Sequence, residues 1–516
     1  MQRLVFCGDD IVRVELPEHT RVIEAPPPVA PLVDYQGAVR ASLRDPLGCS
    51  PLAELVGPES RVTIAFDDPC LPLPPVLRDP RGLAVEAVLE ELFALGVKRE
   101  RVSLICAVGL HRKWTERELR HVLGRRVWAV MGPSHIANHD AEDPVGAVDL
   151  GSTAEGYPVE VNRALLESNL TIYVNVNWTS MNGGWKSYMV GLGTYRSIRP
   201  HHNASVLIDG GTIMDPGSHF HDILRAQGRY LARHAKVMSV ETVLNNRVWP
   251  GPLDSYLSLK RNGVPLPFKL SRHFPQAVKS AVSSALRSAY APMAVHAGDP
   301  EAVHDKTLEA LFRQQNVRVE GQSDALFLAL PNICPYAAFS RMNPLLAMNS
   351  ALGYVFNLHM RKPVVRKGGV LVLMQPFLPG FHQRHHLPYI EFYEKVLAET
   401  RDSREMEVRF EEDFADRKEY IEAYRHHHAY HGVHPFYVWY WGGLAMEHLE
   451  RVIVVGAKKR EVVEHLGFEA ADSLPQAWHM AAETLGDGYS ITHLSVPPIF
   501  ATDVVSARFA LEEAVR

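Results

Sequence analysis

The sequence predicts an α/β protein made of two α/β domains with largely parallel sheets and an active-site cleft between the domains. Short apolar strands alternate with amphipathic helices from residue 62 to residue 123, and this alternation resumes beyond residue 300. A proline-rich stretch with little periodicity, residues 250–300, separates the two halves. We therefore predict an N-terminal domain over residues 1–275, which carries the reactive loops, and a C-terminal domain over residues 276–516, which closes the cleft.

Composition restricts the functional class. The chain has 516 residues, of which 46% are hydrophobic and 22% are charged, as is typical of a globular protein. Its net charge of −5 argues against a nucleic-acid-binding protein, which usually carries a strongly basic face. Five scattered cysteines without a CxxC pair predict a reducing compartment. With no signal-peptide pattern and no long apolar run, we expect a cytoplasmic protein without a membrane span.

The elements of the N-terminal half follow from local patterns. Prolines and turn residues over residues 22–60 predict an irregular lead-in. The β-branched and aromatic run over residues 62–66 predicts a buried strand, and residues 102–108 predict a second one. Between them, apolar residues at helical spacing predict a helix over residues 83–97.

Further along the chain the same patterns continue. Thr115 and Glu118 form a capping-box pattern that predicts a helix from residue 115 to residue 123. Residues 170–176 predict a strand, which a glycine-bearing segment over residues 186–193 follows. In the C-terminal half we predict strands over residues 324–330, 370–374 and 452–455 and a helix over residues 343–360.

Four loops that follow predicted strands carry most of the reactive side chains. In an open α/β sheet, ligands bind beyond the carboxyl ends of the strands, on loops that lead into helices. Each loop taken alone also fits a structural role, but their common position predicts one binding site. The loops are Asp67-Asp68-Pro69-Cys70, Gly109-Leu110-His111-Arg112, residues 177–186 (Asn-Trp-Thr-Ser-Met-Asn-Gly-Gly-Trp-Lys) and Arg199-Pro200-His201-His202-Asn203.

The order and spacing of these motifs resemble the nickel-dependent lactate racemase family. Sixteen positions separate Lys186 from His202, as in that family. The resemblance runs from residue 60 to residue 205 and is fainter in the C-terminal half. The motifs that carry it are Asp68-x-x-x-Pro72-x-Pro74, Gly109-x-His111-Arg112, Asn138-His139-Asp140-x-x-Asp143, Gly183-Gly184-x-Lys186-Ser187-x-Met189-x-Gly191 and His202.

The resemblance implies a cofactor, the nickel-pincer nucleotide (nickel pyridinium-3,5-bisthiocarboxylic acid mononucleotide), which dedicated cofactor-assembly enzymes supply. It implies that Lys186 is the attachment residue and that His202 is the nickel ligand, with His201 as the alternative if the register slips by one. Imidazole and sulfur donors suit nickel(II). Further cofactor contacts are expected from Asp68 and from Gly183, Gly184 and Trp439.

The resemblance also implies a reaction, inversion of a 2-hydroxy acid by proton-coupled hydride transfer. In the family, a histidine takes the proton of the substrate hydroxyl while a hydride leaves the carbinol carbon. His111 is our candidate for this base, because histidine changes charge near neutral pH. Asp68 is expected to orient it or to bind the nucleotide, and Arg112 is a further catalytic candidate.

The sequence departs from the family pattern at the substrate-binding positions. The family has a second acid–base histidine in the region where this chain reads Val176-Asn177-Trp178. We therefore expect one of the two bases to be missing, unless His201 or His135 takes its role. Leu71 stands where the family has a carboxylate-binding arginine. An unpaired buried carboxylate is unfavourable by several kcal/mol, so we predict a substrate other than lactate, either less polar or bound elsewhere.

A carboxylate bound elsewhere would meet one of three other arginines, Arg341, Arg112 or Arg196. In a C-terminal segment, a family tyrosine and lysine align with Leu345 and Asn349, so a phenol and a second cation are absent there.

Three other functional classes remain open from the sequence. The first is a non-catalytic relative that binds a nucleotide, and the second is an oxidoreductase that works on one face of the substrate. The third is a zinc hydrolase that uses histidines of segments 382–386 and 426–434, although no H-E-x-x-H pattern is present. Trp439 and Trp441 are expected either to wall the cleft or to be core residues. The sequence leaves the oligomeric state open.

Overall fold

The computed structural model describes residues 1–251, 264, 266–271 and 273–505, and it has the predicted α/β architecture with largely parallel sheets. Its strands are, in chain order, β1 (Gln2–Cys7), β2 (Asp10–Glu15), β3 (Arg21–Glu24), β4 (Val62–Asp67), β5 (Val102–Ala107), β6 (Ile136–Asn138), β7 (Ala147–Ser152), β8 (Pro158–Asn162), β9 (Leu170–Asn177), β10 (Val237–Leu244), β11 (Pro292–Gly298), β12 (Asn316–Glu320), β13 (Ser323–Ala329), β14 (Val365–Met374), β15 (Leu449–Val455), β16 (Glu469–Ala471), β17 (Ile491–Ser495) and β18 (Ala501–Val505).

The helices pack on both faces of the two large sheets. The longer ones are Tyr35–Arg44, Pro80–Ala94, Glu116–Met131, Gly184–Gly191, His219–Leu231, Gln276–Ala285, Pro300–Gln315, Lys418–His426, His434–His448 and Leu474–Leu485. Shorter α-helical segments are Leu52–Leu55, Ala164–Glu167, Tyr195–Ile198, Ala204–Asp209, Leu266–Ser271, Pro344–Met348, Leu387–Glu391, Leu397–Glu399, Ser403–Met406, Glu412–Asp416 and Arg460–His465. Segments Asn349–Val355, Phe392–Val396 and Glu407–Glu411 are π-helical.

The first large sheet has six strands in the order β11-β10-β9-β4-β5-β6. All neighbours are parallel except β10 and β11, which pair antiparallel. The apolar residues of β4 are buried because helices cover both faces of the sheet, as in other parallel sheets. The chain moves from β4 to one side, to β5, and later returns to the other side at β9. The ends of β4 and β9 therefore form a topological switch point, where ligands bind in such sheets.

The second large sheet has six parallel strands in the order β16-β15-β14-β13-β17-β3. Its edge strand β3 comes from the N-terminal region of the chain and pairs with β17. Strand β11, which follows residue 275, pairs in the first sheet instead. The division of the chain into two domains at residue 275 stays a prediction. Each large sheet, however, contains one strand from the other side of that residue, because β3 lies in the second sheet and β11 lies in the first.

Most predicted elements are confirmed, with shifted ends where a cap decides the boundary. The helix predicted over residues 83–97 begins at Pro80, because the Asp79 side chain caps it and Pro80 occupies its first turn. The capping box of Thr115 and Glu118 is present, and that helix continues to Met131 through a kink at Gly124, where φ is 76°.

Two predictions from local pattern are wrong in part. The segment predicted as irregular, residues 22–60, contains helix Tyr35–Arg44, whose N-terminus the Asp34 side chain caps. The prediction missed this helix because prolines flank it on both sides. The helix predicted over residues 343–360 is a short α-helix, Pro344–Met348, followed by the π-helical segment Asn349–Val355. Within the described residues, no helix is long and apolar enough to cross a membrane.

Replacement of Ile64 by alanine should destabilise the protein, because Ile64 lies fully buried in β4 at the centre of the first sheet. Loss of its buried methyl and methylene groups should lower the free energy of unfolding by about 2–5 kcal/mol. Chemical denaturation monitored by circular dichroism measures this change. Val33→Ala is the control, since Val33 is fully exposed and its replacement should change stability by less than about 0.5 kcal/mol. Equal stability of the two variants would contradict the assignment of this core.

Candidate active site

One cavity lies beyond the carboxyl ends of β4, β5 and β9, at the switch point of the first sheet. Elements that follow β13, together with helix His434–His448, close it from the side of the second sheet. The space inside it, about 1040 Å³, includes the open mouth. We call it the central cavity, and its chemically reactive lining residues are Asp67, Asp68, Cys70, His111, Lys186, His202, Tyr336, Tyr354, His434 and Tyr437.

Asp67 and Asp68 stand at the end of β4, where buried groups hold both carboxylates in place. Tyr173 and Asn175, from the neighbouring strand β9, donate hydrogen bonds to Asp67 at 3.0 and 2.7 Å. Burial raises the pKa of Asp67 to about 6 despite these bonds. The buried guanidinium of Arg81 donates to the backbone carbonyls of both aspartates and is neutralised by Asp79. The loop is therefore fixed before any ligand binds.

The Asp68 carboxylate organises the loops around it. Its Oδ2 lies 2.9 Å from His111 Nδ1 and accepts a hydrogen bond from Trp114 Nε1 at 3.2 Å, and its Oδ1 accepts from the Cys70 thiol at 2.7 Å. Burial opposes ionisation of this carboxyl, but the charge and hydrogen bond of His111 outweigh it and lower the pKa of Asp68. The predicted pairing of Asp68 with His111 is thus present. Because Nδ1 faces Asp68, the other ring nitrogen of His111 is left for a ligand.

Lys186 is half-buried in helix Gly184–Gly191 and lines the central cavity. Burial lowers the pKa of its amine, and the nearby Asp67, Cys70 and Asp68 only partly restore it. A desolvated lysine of this kind holds more of its amine in the neutral, nucleophilic form. The environment therefore fits the predicted role of an attachment residue.

The turn before Lys186 depends on a carboxylate that the sequence analysis missed. Gly183 and Gly184 have φ angles of 96° and 55°, which favour glycine, and a Cβ at Gly183 would lie 2.7 Å from Glu241. Buried Glu241 accepts hydrogen bonds from the Gly184 amide at 2.6 Å and from the Asn177 amide at 2.8 Å. A glutamate inside the otherwise uncharged strand β10 was the signal that could have found it. Gly183 lines the cavity, whereas Gly184 packs against His304.

His202 lines the same cavity as Lys186, and His201 stands behind it. The two Nδ1 atoms lie 2.7 Å apart, so one of them carries the shared proton. Burial and the charge of Lys186 lower the pKa of His202 to about 3, which keeps its imidazole neutral at neutral pH. A neutral imidazole is the form that binds metals. His201 packs edge-on against Phe220 and supports the ring of His202.

His434 is a cavity residue that the sequence analysis considered only as a zinc ligand. It begins helix His434–His448, and its ring centroid lies 5.1 Å from that of His111 and 4.6 Å from that of Tyr336. Its Nδ1 pairs with the Tyr389 hydroxyl at 2.5 Å. Burial and then the neighbouring His111 lower the pKa of His434 well below the usual value. The cavity therefore contains two adjacent imidazoles, each held through Nδ1.

Arg112 and Trp439 do not reach the central cavity. The guanidinium of Arg112 is fully buried, lies over the Trp114 ring at 3.8 Å and pairs with Glu118 at 2.9 Å, since the capping box fixes that carboxylate beside it. Trp439 donates to the Arg401 carbonyl on the far face of its helix. Trp441 lines the cavity in its place, because seven residues after His434 the helix returns to the same face.

The other predicted substitutes also lie away from the central cavity. Arg196 pairs with Asp149 at the surface, and Arg341 lines a different groove. His135 hydrogen-bonds to the Val102 carbonyl. Within the described residues, no guanidinium lines the central cavity, and Lys186 is the sole basic side chain other than histidine that does so.

The histidine-rich segments do not converge on a common point. His426 and His427 lie beside Glu422, whereas His431 pairs with Glu142 at 2.9 Å. His385 pairs with the Ser340 hydroxyl. In the part of the chain that the structure describes, these histidines form no group of three ligands within reach of one metal ion.

Comparisons with known proteins agree with this fold. Residues 7–213 match the family described as the lactate racemase N-terminal domain. The lactate racemase of Lactiplantibacillus plantarum is 24% identical over 219 residues, a match that spans 40% of this chain and 47% of that protein.

Two solved structures share the fold over nearly the whole chain. One is the lactate racemase apoprotein from Thermoanaerobacterium thermosaccharolyticum, with a TM-score of 0.64 and 14% identity over 97% of this chain and all of the other. The second is a protein from Thermotoga maritima, with a TM-score of 0.53 and 14% identity over 93% of this chain and all of the other.

The amine of Lys186 should react with a small acylating reagent at lower pH than an ordinary lysine, because its pKa is lowered. Trace acylation at a series of pH values, followed by peptide mass spectrometry, gives the inflection for each lysine. Exposed Lys236 serves as the internal control. Asp67→Asn should move the Lys186 inflection further down, since it removes a neighbouring negative charge. Identical inflections for Lys186 and Lys236 would contradict the described environment.

Proposed function

We propose that this chain is a divergent member of the lactate racemase family and a racemase or epimerase that inverts the carbinol centre of a 2-hydroxy acid other than lactate. The observation that carries the proposal is that Lys186 and His202 line the same cavity as the Asp68–His111 pair. A half-buried nucleophilic amine, a neutral imidazole and a carboxylate-bound imidazole are the side chains that such a reaction requires.

The residues of the central cavity fit a nickel-pincer nucleotide. Lys186 would hold it covalently, and His202 would ligate nickel through Nε2, since Nδ1 faces His201. The buried amide oxygen of Asn175, which lines the cavity and has no hydrogen-bond partner among the described residues, offers a further polar contact. When bound, the cofactor supplies a hydride acceptor. The protein itself binds and orients the substrate and moves the hydroxyl proton.

Proton transfer is assigned to the two imidazoles of the cavity. His111 accepts the hydroxyl proton of one enantiomer through the nitrogen that does not face Asp68, and the Asp68 carboxylate stabilises the resulting imidazolium. His434 performs the same step for the other enantiomer, with its ring fixed by Tyr389. In this assignment, His434 takes the role of the missing second histidine, and it comes from the helix that closes the cavity on the side of the second sheet.

The cavity wall favours a substrate less polar than lactate. Leu71, Leu110, Val190 and Trp441 line it, and no guanidinium does so within the described residues. An arginine fork gives a carboxylate charge-assisted hydrogen bonds of about 1.5–3 kcal/mol each. Without such a fork, a small acid such as lactate binds weakly, whereas a larger apolar substituent gains binding energy from contact with the wall.

Co-expression with the cofactor-assembly enzymes tests the proposal. The product should contain about one nickel per chain, with added mass on the peptide that carries Lys186. Chiral chromatography of a series of 2-hydroxy acids should then show interconversion of bulky apolar members and little turnover of lactate. Lys186→Arg should lose the added mass, whereas Lys236→Arg should keep it. Efficient turnover of lactate, or no inversion by the loaded protein, would contradict the proposal.

His434→Gln and His111→Gln should each reduce inversion by about 10²–10⁴-fold, the usual contribution of a general acid or base. With two separate bases, each variant should slow the consumption of one enantiomer more than that of the other before equilibrium is reached. His427→Gln is the matched control, because His427 is exposed in the same histidine-rich segment. Nickel content separates loss of catalysis from loss of cofactor. Full activity of His434→Gln would show that His434 is not a base.

A further inference from the structure

Three side chains of different chemistry converge at one wall of the central cavity. They are the carboxylate of Asp68, the thiol of Cys70 and the imidazole of His111, and their ligand atoms all lie within 4.8 Å of one another. Asp68 and Cys70 are almost fully buried, and about a quarter of the His111 side chain is exposed. No other group of three or more such side chains with this geometry occurs among the described residues.

We propose that Asp68, Cys70 and His111 form a binding site for a single zinc-like divalent cation, with a fourth coordination position open to the cavity. Carboxylate oxygen, thiolate sulfur and imidazole nitrogen are all ligands of Zn²⁺, and three protein ligands with one open position are typical of accessible zinc sites. Cys70 Sγ lies 2.7 Å from Oδ1 of Asp68, and His111 Nδ1 lies 2.9 Å from Oδ2 of the same carboxylate. Around a tetrahedral zinc ion these sulfur–oxygen and nitrogen–oxygen separations would widen to about 3.5 and about 3.3 Å.

The surroundings support this assignment. The ligands come from two loops at the ends of β4 and β5, which the sheet holds side by side. Trp114 donates a hydrogen bond to the Asp68 carboxylate, the kind of outer contact that orients a metal ligand. Two cationic side chains lie near the three groups: Asp79 neutralises Arg81, and burial disfavours the charged form of Lys186.

Cation binding replaces the hydrogen bonds that now link the three groups. The Sγ–H bond of Cys70 breaks as the sulfur–metal bond forms, and this proton leaves to solvent. Where Nδ1 of His111 carries a proton, that proton moves to Nε2, so that Nδ1 becomes a ligand. Asp68 ligates as the carboxylate that it already is, so one proton is released for each cation bound.

The site conflicts with catalysis by His111. Once Nδ1 binds a cation, Nε2 carries the proton and no longer accepts one from a substrate hydroxyl. This consequence rests on the proposed function: Zn²⁺ should inhibit the nickel-loaded enzyme, and a chelator should restore activity. The cation site itself is independent of catalysis and is testable in the protein without cofactor.

Cobalt(II) is the probe for the site, because tetrahedral cobalt with a thiolate ligand absorbs in the near-ultraviolet and visible ranges. The chelator-treated full-length chain should bind about one Co²⁺ with such a spectrum, and Zn²⁺ should displace it. Cys70→Ser should abolish the thiolate band and weaken Zn²⁺ binding about tenfold or more. Cys49→Ser should keep both, since Cys49 is a half-buried thiol beside Asp299 that belongs to no such ligand group among the described residues.

A second measurement needs no variant. Zn²⁺ should protect Cys70, but not Cys49, from alkylation in the native chain, as peptide mass spectrometry can detect. Absence of the band in the native chain, its persistence in Cys70→Ser, or equal alkylation of Cys70 with and without Zn²⁺ would overturn the proposal. Inhibition without binding at these residues would overturn it as well. Binding without inhibition would retain the site but contradict the role of His111 as a base.

Discussion

Parallel pairing of β4 with β5 on one side and β9 on the other is the constraint on which the site depends. Because side-by-side parallel strands end at the same edge, three loops distant in sequence emerge together. The Asp68 carboxylate then fixes two of these loops by accepting bonds from Cys70, His111 and Trp114. Without this edge, the reactive side chains would lie on separate surfaces.

Burial gives these side chains their chemical character. The amine of Lys186 and the imidazoles of His202 and His434 all have lowered pKa values, and desolvation is the largest cause in each case. A neutral amine is a nucleophile, and a neutral imidazole is a ligand or a base. The same low dielectric would make an unpaired substrate carboxylate unfavourable, so the electrostatics that activate the site also restrict its substrate.

The second sheet completes the site from the opposite side. Helix His434–His448 presents His434, Tyr437 and Trp441 to the cavity at intervals of three and four residues, which is one face of a helix. Arg112, in contrast, is held at the start of helix Glu116–Met131 by Glu118. The loops and helices of the first sheet therefore supply the proposed attachment and metal-binding side chains, and those on the side of the second sheet supply a further imidazole and part of the apolar wall.

The sequence by itself determined the alternation of strands and helices and the loops that bear Asp68, His111, Lys186 and His202, because strand ends and capping patterns are local signals. Only the tertiary structure decided which distant side chains meet these loops. Helix His434–His448 is apolar on all faces, so its pattern cannot distinguish the face of Trp439 from the face of Trp441. Packing of this helix against helix Ala204–Asp209, segment Asn349–Val355 and strands β14 and β15 decides which face lines the cavity, and it brings His434 beside His111.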